Sequence, residues 1–515
     1  MLQDSPSEDD LVRDLLLGEN LPGSPAKVEL RRTHASLVFL TPAEVFKIKR
    51  AKHYGFFDYS TLERRRHFTS EEVRLNRRAA SSVYIGTLPV FRDAQGISLV
   101  REAGIVDWAV RMRRLPEEQN LAGLLGRRAL DHDHLDAVAR FTAEFHRKAD
   151  RALPGEFDSI ARNIRENFEE TTPFVGRFLK ERIFAQTRDA QERWLAEKAA
   201  ILKARPRVDG HGDLRLDHVY LLSEGVVLID CIEFLDRFRI ADPALDAAFL
   251  AMELLQEGRP DFAEHFLARY AFESDDYDLY ALIDGYMSYR AWVRAKVSSL
   301  LAADSAAEPP LAQKKAREAA FLFDVAAQCL ASPGTGSRTT QRRLIAVGGL
   351  IGSGKSSLAR ALGRSLSVPV LGSDVTRKRL ARLPLEAEGP AAIYTTEFTA
   401  RVQLEMVRRA RVVLESGRSV ILDSTFAARE FRTRVRELSE SLGARFLFVE
   451  CRAPEPLLRQ RLRERTRSTS DAREGLLDSF LKNWGPAEEI PSDARIVLDT
   501  SRPPKETVEA VLRRM

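Results

Sequence analysis

The segment 349–356, with the sequence Gly-Leu-Ile-Gly-Ser-Gly-Lys-Ser, constrains this chain more than any other stretch. It fits the pattern G-x-x-x-x-G-K-[ST] and lies between an apolar run at 344–348 and a helix predicted over 357–366. In this context the glycines let successive backbone N–H groups curve around a polyphosphate, and the lysine adds a positive charge. The Ser356 hydroxyl is the predicted Mg²⁺ ligand of the loop. The residues predicted to hold the nucleotide are Gly349, Gly352, Ser353, Gly354, Lys355, Ser356 and Ser357.

The position of this loop predicts more than one domain. About 340 residues precede it in a chain of 515, whereas such a loop usually opens its domain. Residues 331–343 lack hydrophobic periodicity and are rich in small and turn-forming residues, as flexible linkers are. We therefore predict one domain over 1–330, a linker over 331–343 and a second domain over 344–515.

Charge is divided unevenly between these two parts. Residues 331–515 contain 33 Lys+Arg against 22 Asp+Glu, whereas residues 1–330 contain 47 against 53. A basic domain of this kind either binds nucleic acid or uses its arginines to hold phosphates, and many such arginines lie on solvated helix faces. A nucleic-acid partner is therefore possible but is not the favoured prediction.

Composition excludes several other classes. No apolar run approaches the roughly 18 residues that a membrane span needs, and the acidic N-terminus does not resemble an export signal. The three cysteines, Cys231, Cys329 and Cys451, are far apart and form no Cys-x-x-Cys pair, so neither a disulfide framework nor a zinc site is indicated. We expect a cytoplasmic protein without a membrane partner.

Two aspartates of the basic domain follow predicted strands. Asp374 comes after the apolar run 368–372, and Asp423 ends the run 419–423. In open parallel sheets, ligands collect at the carboxyl ends of the strands, so both carboxylates and Lys355 should converge on one crevice. The alternative for Asp374 is a helix N-cap, because aspartate is common there.

These marks, together with the paired arginines Arg461 and Arg465, make segment 344–515 resemble the P-loop kinases of small molecules and polynucleotides, often described as AAA-type domains. The resemblance implies that ATP and Mg²⁺ are the cofactors. It also implies that Asp374 orients the acceptor hydroxyl and that Asp423 supports Mg²⁺. Arg461 would bind the nucleotide, and Arg465 would neutralise charge on the transferred phosphoryl group.

A second signal lies in the first domain. The loop His-Gly-Asp at 211–213 is followed 17 residues later by a strand-terminal acid, Asp230. This spacing resembles the aminoglycoside and choline phosphotransferase family, whose loop reads His-Gly-Asp-x-x-x-x-Asn. The resemblance implies that Asp213 is the catalytic acid and that Asp230 is a metal ligand.

The chain departs from that family at one position, because His218 stands where the family has asparagine, a second metal ligand. A neutral imidazole is a poor match for Mg²⁺, although His218 occupies the metal position of the motif. Asp217 or Glu233 would be alternative carboxylates. Two interpretations remain open, an active kinase and a nucleotide-binding or regulatory relic.

The upstream lobe contains a predicted hairpin over 36–40 and 44–49, followed by a helix over 62–80. Lys47 and Lys49 alternate with apolar residues and face one side, where a kinase-like fold places the lysine that holds the α/β-phosphates. The family resemblance favours Lys47, and it favours Glu72 over Glu71 as the partner of this lysine.

The predicted fold class is thus multidomain, α/β and α+β. The first domain would be bilobal and protein-kinase-like, with a small lobe at about 25–110 and a large lobe at about 111–330. The second would be a P-loop kinase domain with a parallel sheet flanked by helices. The favoured function is a bifunctional ATP-dependent phosphotransferase for small hydroxylated acceptors. The alternatives are a regulatory P-loop ATPase with a degenerate kinase-like domain and a polynucleotide 5′-hydroxyl kinase.

Overall fold

A computed structural model describes residues 6–54, 57–152, 159–304, 309–331, 341–464, 471, 473–485 and 487–515. The chain divides into two compact units, neither of which is continuous in sequence. The first comprises Met1–Leu130, Glu144–Asn163 and Arg205–Leu250, and the second comprises Asp131–Ala143, Ile164–Ala204 and Ala251–Met515.

The strands are short except in the first sheet. Their bounds are β1 (Glu29–Arg32), β2 (Ser36–Leu40), β3 (Glu44–Lys49), β4 (His53–Tyr54), β5 (Phe57–Asp58), β6 (Tyr84–Asp93), β7 (Gly96–Ser98), β8 (Gly104–Arg113), β9 (Val208–Asp209), β10 (Val219–Leu222), β11 (Gly225–Leu228), β12 (Ile240–Ala241), β13 (Arg343–Gly349), β14 (Val370–Gly372), β15 (Val420–Asp423), β16 (Arg445–Arg452) and β17 (Arg495–Asp499).

The helices are longest in the second unit. Their bounds are α1 (Glu8–Leu15), α2 (Leu62–Ala80), α3 (Leu121–Gly126), α4 (His132–Lys148), α5 (Ser159–Thr171), α6 (Glu181–Ala204), α7 (Asp236–Arg239), α8 (Ala244–Gln256), α9 (Pro260–Ser274), α10 (Ile283–Ala303), α11 (Pro309–Ala331), α12 (Lys355–Leu366), α13 (Ser373–Leu380), α14 (Thr396–Glu415), α15 (Arg429–Ser441), α16 (Glu455–Glu464), α17 (Leu477–Asn483) and α18 (Pro504–Arg514).

The first unit is built on an antiparallel sheet in the order β1-β2-β3-β8-β6-β7. Alternation along β3 turns Phe46 and Ile48 into one core and leaves Lys47 and Lys49 on the other side. Helix α2 begins at the cap Thr61, whose hydroxyl accepts the N–H of Arg64, and packs against β8 and β6. The sheet therefore brings lysines of β3 to the helix that carries the predicted glutamate.

The second unit contains a parallel five-stranded sheet in the order β14-β15-β13-β16-β17. Strand β13, which leads into the predicted nucleotide loop, is central and apolar after its first residue, Arg343, as expected for a strand buried on both faces. Apolar residues of α12 and α18, including Leu358, Leu362 and Val511, share one core with β13. On the other face Phe426 stacks on Phe431 of α15.

The α/β and α+β fold class predicted from the sequence is confirmed, with the parallel sheet in the predicted P-loop segment. Of the predicted linker, residues 332–340 lie outside the described residues, and the boundaries 1–330 and 344–515 stay a prediction. Among the described residues, no helix combines the length and the apolar character that crossing a membrane requires.

Candidate active sites

The loop after β13 has backbone torsions that require glycine at three positions. Gly349, Gly352 and Gly354 have φ values of 149°, 81° and 83°. A Cβ on Gly349 would also lie 2.5 Å from the carbonyl oxygen of Cys451. Helix α12 begins at Lys355, immediately after Gly354, so its unpaired N–H groups face the loop. The predicted phosphate cradle is therefore present as backbone geometry.

Two side chains from outside the motif brace this loop. The Thr500 hydroxyl donates to the Ser353 carbonyl at 2.6 Å, and Arg461 donates to the carbonyl oxygens of Gly352 at 3.4 Å and Thr500 at 2.8 Å. Arg461, predicted to hold the nucleotide, thus contacts the loop backbone. Arg465 lies outside the described residues, so its predicted role stays a prediction.

Sequence reasoning missed Thr500. The available signal was the run 495–499, which forms β17 and places Thr500 at the same carboxyl edge of the sheet as the loop.

Asp423 lies at the centre of this crevice. It pairs in register with Val347 of β13 and Gly372 of β14, and its carboxylate accepts a hydrogen bond from Ser356. Burial raises the pKa of Asp423, and the charge of Lys355 and the Ser356 hydroxyl oppose that effect. Its Oδ1 atom is buried and has no hydrogen-bond partner. The structure therefore brings Lys355, Ser356 and Asp423 together, as predicted.

Asp374 is the second residue of α13 and is partly buried. The N-cap of α13 is Gly372, which supplies no side-chain hydrogen bond, so the N-cap alternative for Asp374 is wrong. Its negative charge is close enough to contribute to the raised pKa of Asp423. Asp374 therefore belongs to the same crevice and is not required to cap its helix.

Two of the three basic residues that follow on α13 are held by backbone carbonyl groups. Arg377 is buried and donates to the Ile393 carbonyl, and Lys378 is buried and donates to the Leu385 carbonyl at 3.0 Å. Lys378 also forms an ion pair with Asp471 at 2.9 Å. These cations hold the segment after α13 in place.

In the first unit, the β3 lysines meet one glutamate of α2. The Nζ atom of Lys47 lies 3.0 Å from Glu72 Oε1, and that of Lys49 lies 2.7 Å from Glu72 Oε2. Glu72 is fully buried, whereas Glu71 is on the outer face and pairs with Arg74. The choice of Glu72 over Glu71 thus agrees with the geometry.

Asp230 approaches the same lysines from the loop after β11. Its carboxylate lies 2.6 Å from Lys47 Nζ, and its N–H donates to the Tyr84 hydroxyl at 3.1 Å. Asp230 has a φ of 64°, a left-handed conformation that turns its carboxylate toward β3. Burial acts against ionisation, but the charges of Lys47 and His218 outweigh it and lower the pKa of Asp230. Asp230 is therefore ionised and accessible to a cation.

The His-Gly-Asp loop is held by hydrogen bonds to Asp246, an acid of α8 that sequence reasoning missed. The N–H groups of His211 and Gly212 donate to Asp246 of α8 at 2.7 and 2.9 Å. The Nδ1 atom of His211 accepts the N–H of Asp213 at 3.3 Å, so its Nε2–H donates to the Ile229 carbonyl at 2.9 Å. Burial lowers the pKa of His211 to about 4, which keeps the ring neutral in this role.

His218 lies among the acids of this site. Its Nδ1 is 2.9 Å from the Asp213 carbonyl oxygen and must donate, because a carbonyl only accepts. Its Nε2 lies 3.7 Å from Asp230 Oδ2 and 3.8 Å from Asp217 Oδ1. Within the described residues, no group of three or more His, Cys, Asp or Glu side chains is arranged to hold a metal ion. A role for His218 as a metal ligand therefore stays a prediction.

Glu233, an alternative carboxylate for the metal, is engaged elsewhere. It forms an ion pair with Lys49 and accepts the Tyr59 hydroxyl at 2.6 Å. Its side chain is only 8% exposed. Glu233 is therefore part of the protein interior and does not lie in the open part of the site.

Comparison with known proteins gives two family matches. Residues 69–283 match the phosphotransferase enzyme family, and residues 344–486 match the AAA domain family. The chain is 31% identical over 457 residues to the uncharacterized protein Rv2004c of Mycobacterium tuberculosis (strain ATCC 25618 / H37Rv), covering 86% of this chain and 88% of that protein. The uncharacterized protein Mb2027c of Mycobacterium bovis matches to the same extent.

Solved structures are similar to parts of the chain. A choline kinase from Cryptosporidium parvum matches at 13% identity and a TM-score of 0.40, covering 62% of this chain and 95% of that one. A gluconokinase from Sinorhizobium meliloti matches at 21% identity and a TM-score of 0.26, covering 34% and 93%.

Two matched kinase-type domains define the class of this protein as an ATP-dependent phosphotransferase, and both resemblances predicted from the sequence are confirmed. The chain belongs to the family represented by the two mycobacterial proteins.

Proposed function

We propose that the chain is a bifunctional kinase that transfers the γ-phosphoryl group of ATP to hydroxyl groups of small molecules. One reaction takes place in the first half, the predicted domain 1–330, and one in the P-loop half, the predicted domain 344–515. The observation that carries this proposal is the orphaned Oδ1 atom of Asp423, buried beside Lys355 and Ser356. An unpartnered buried carboxylate oxygen is costly, so a cationic partner is expected to complete the site.

The residues present fit a Mg²⁺ ion in both halves, since carboxylate and hydroxyl oxygens are its preferred ligands. In the P-loop half, Ser356 and Asp423 would support the ion, and in the first half Asp230 would hold it, with His218 at its side. When bound, Mg²⁺ neutralises negative charge on the β- and γ-phosphate oxygens.

In the P-loop half, the N–H groups of the loop and the Lys355 ammonium bind the phosphates. Asp374 orients the acceptor hydroxyl and accepts its proton as the bond from the hydroxyl oxygen to the γ-phosphorus forms, while the bond from that phosphorus to the bridging oxygen breaks and ADP leaves. Arg465 neutralises charge on the transferred group, as the resemblance implies.

In the first half, Lys47 positions the α/β-phosphates while Glu72 orients Lys47. Asp213 orients the acceptor hydroxyl, and its backbone is aligned by His211 and His218. The ion pairs of Lys47 with Glu72 and Asp230 support an active kinase over a relic, because a degenerate site would have no need of this buried charge arrangement.

A small-molecule acceptor is favoured over a polynucleotide at the P-loop site. Two of the three cations of α13, Arg377 and Lys378, are buried and donate to protein carbonyl groups. These two cations are consequently not offered to a phosphodiester backbone, which is bound mainly through lysine and arginine.

The test is transfer from γ-labelled ATP by the full-length chain to a panel of sugars, amino alcohols and oligonucleotides. We expect Asp374→Asn to reduce phosphorylation of the P-loop acceptor by about 10²–10⁴-fold with ATP affinity retained. Glu386→Gln, an exposed acid after α13, is the matched control and should keep full activity. ADP release that is independent of every acceptor would support the regulatory ATPase, and labelled oligonucleotides would support the polynucleotide kinase.

A further inference from the structure

The first half contains a second lysine that the proposed mechanism does not use. Lys49 lies on the same face of β3 as Lys47, but its side chain is 2% exposed, compared with 18% for Lys47. Buried lysines are rare unless they are paired. Lys49 contacts Glu72 Oε2 at 2.7 Å and also forms an ion pair with Glu233.

These contacts join into one chain of alternating charges, which we call the lysine relay. From the open side inward its members are Asp230, Lys47, Glu72, Lys49 and Glu233. The outer end is accessible, because the Asp230 side chain is 42% exposed, whereas Glu72 is fully buried. At the inner end, Tyr59 donates to Glu233 and its ring lies 4.8 Å from Lys49 Nζ.

The lysine relay attaches the loop that contains Asp230 and Glu233 to β3 at two points. Asp230 and Glu233 are three residues apart in the same loop, and each is held by a different lysine of β3. Between them, the Cys231 N–H donates to Asn76 at 2.9 Å and the Ile232 N–H donates to the His211 carbonyl at 3.0 Å. The loop is therefore fixed along its length, and Lys49 holds the end farthest from solvent.

We propose that Lys49 is a positioning residue of the first active site, which keeps Glu72 and the Asp230 loop in place when Lys47 leaves Asp230 to bind nucleotide phosphates. This inference rests on the proposed function of the first half. A nucleotide competes with Asp230 for the Lys47 ammonium. When Lys47 moves to the nucleotide, Glu72 Oε2 still has Lys49 as its cationic partner. Glu233, which is paired with Lys49, meanwhile prevents the Asp230 loop from moving with Lys47. The two lysines thus have different roles. Lys47 contacts the nucleotide, and Lys49 holds Glu72 and the Asp230 loop in position.

Charge on the relay supports this division. Burial opposes protonation of both lysines, but the surrounding carboxylates outweigh it and raise the pKa of Lys47 and of Lys49. Lys49 therefore lies as a cation between two acids, Glu72 and Glu233.

The test uses the full-length chain with Lys355→Ala, which silences the P-loop, and measures binding of Mg²⁺ with a non-hydrolysable ATP analogue by calorimetry. We expect Lys49→Met to raise the Kd by about 10–100-fold, as loss of residues that orient metal ligands does. The Mg²⁺ concentration for half-maximal nucleotide binding should rise with it. Lys52→Met, a partly exposed lysine just after β3, is the matched control and should change Kd by less than about twofold.

A second variant separates positioning from simple charge balance. Lys49→Met with Glu233→Gln removes one buried charge of each sign, so we expect the melting temperature to recover toward that of the parent while the Kd stays raised. Recovery of the parent Kd in this double variant, or an unchanged Kd in Lys49→Met, would overturn the positioning role alone. A Lys355→Ala parent that binds no Mg²⁺-nucleotide would overturn the proposed function of this half and the inference with it.

Discussion

At the scale of single residues, His218 explains how the first site can depart from the phosphotransferase pattern. Its Nδ1–H holds the Asp213 carbonyl, and its Nε2 faces Asp230 and Asp217. An asparagine can donate its amide N–H to the same carbonyl, but its oxygen would then face the two carboxylates, an arrangement that suits a metal ion between them. We infer that the histidine aligns Asp213 and contributes little to metal binding, because Mg²⁺ prefers oxygen ligands.

This interpretation predicts a contrast between two substitutions. His218→Asn should leave Mg²⁺-nucleotide binding by the Lys355→Ala chain unchanged or stronger, because an amide oxygen suits the ion. His218→Ala should lower transfer by the first half by about 10–100-fold, because nothing then aligns the Asp213 carbonyl. Calorimetry and initial rates distinguish the two. Equal losses in both variants would mean that the imidazole itself is required.

Residues that belong to short motifs could be predicted, and residues that act across the fold could not. Lys355, Ser356 and Asp423 are adjacent to diagnostic glycines or strand ends, so spacing alone brings them to one crevice. Asp246 and Thr500 contact their loops only because distant strands and helices meet there. The apolar run before Thr500 indicates only its place at the sheet edge, and nothing in the local sequence of Asp246 signals its contact.

At the scale of elements, helix α8 supports the catalytic loop. Asp246 accepts two backbone N–H groups of the loop and lies 3.1 Å from His146 Nε2. A Cβ on Gly210 would lie 2.7 Å from the Asp246 carboxylate, so the glycine permits this close approach. The position of Asp213 therefore depends on a helix that lies outside the His-Gly-Asp loop.

We predict that Asp246→Asn lowers the free energy of unfolding by about 1–3 kcal/mol, because the amide nitrogen cannot accept the second N–H group. Transfer by the first half should also fall, since small displacements of a catalytic group reduce its effect. Urea unfolding and initial rates check both effects. Glu257→Gln, an exposed acid just beyond α8, serves as the comparison and should match the parent. Native stability and native rate in Asp246→Asn would count against a supporting role.

Elements with a regular pattern were predicted well. Helix α2 occupies 62–80, and strands β2 and β3 occupy 36–40 and 44–49, as expected from periodicity. Strand β6 was missed, because Gly86 and Pro89 interrupt its apolar pattern and bulges shift its pairing with β8. One of the two longest strands of the first sheet is thus irregular in sequence.

At the scale of the whole molecule, the second unit joins the P-loop sheet to helices that lie earlier in the chain, before the predicted linker. Arg418, just before β15, lies between Glu264 of α9 and Asp284 of α10 at 2.8 Å from each. Its side chain is 3% exposed. Arg409 of α14 contacts Asp275 nearby, and Tyr277 donates to the Val370 carbonyl of β14. Composition predicted a linker between the halves, but it carries no information about such contacts.

We predict that Arg418→Met lowers the free energy of unfolding by about 3–5 kcal/mol, because it leaves Glu264 and Asp284 buried without a cation. Adding Glu264→Gln and Asp284→Asn should restore part of this loss. Arg411→Met on α14 removes an exposed pair with Glu415 and should cost about 1 kcal/mol or less. Denaturant unfolding of the full-length chain measures all three. If Arg418→Met unfolds like Arg411→Met, the buried pair does not stabilise the unit.

Arg418 also limits how this architecture can change by recombination. A P-loop domain imported from another kinase without a cation at this position would leave two acids of α9 and α10 buried against it with no counter-charge. Positions 264, 284 and 418 should therefore vary together among relatives. Either all three residues are neutral, or residue 418 carries the charge opposite to that of residues 264 and 284. The same reasoning applies to truncated chains: a fragment that ends at 330 exposes the acids, and one that starts at 344 exposes the arginine.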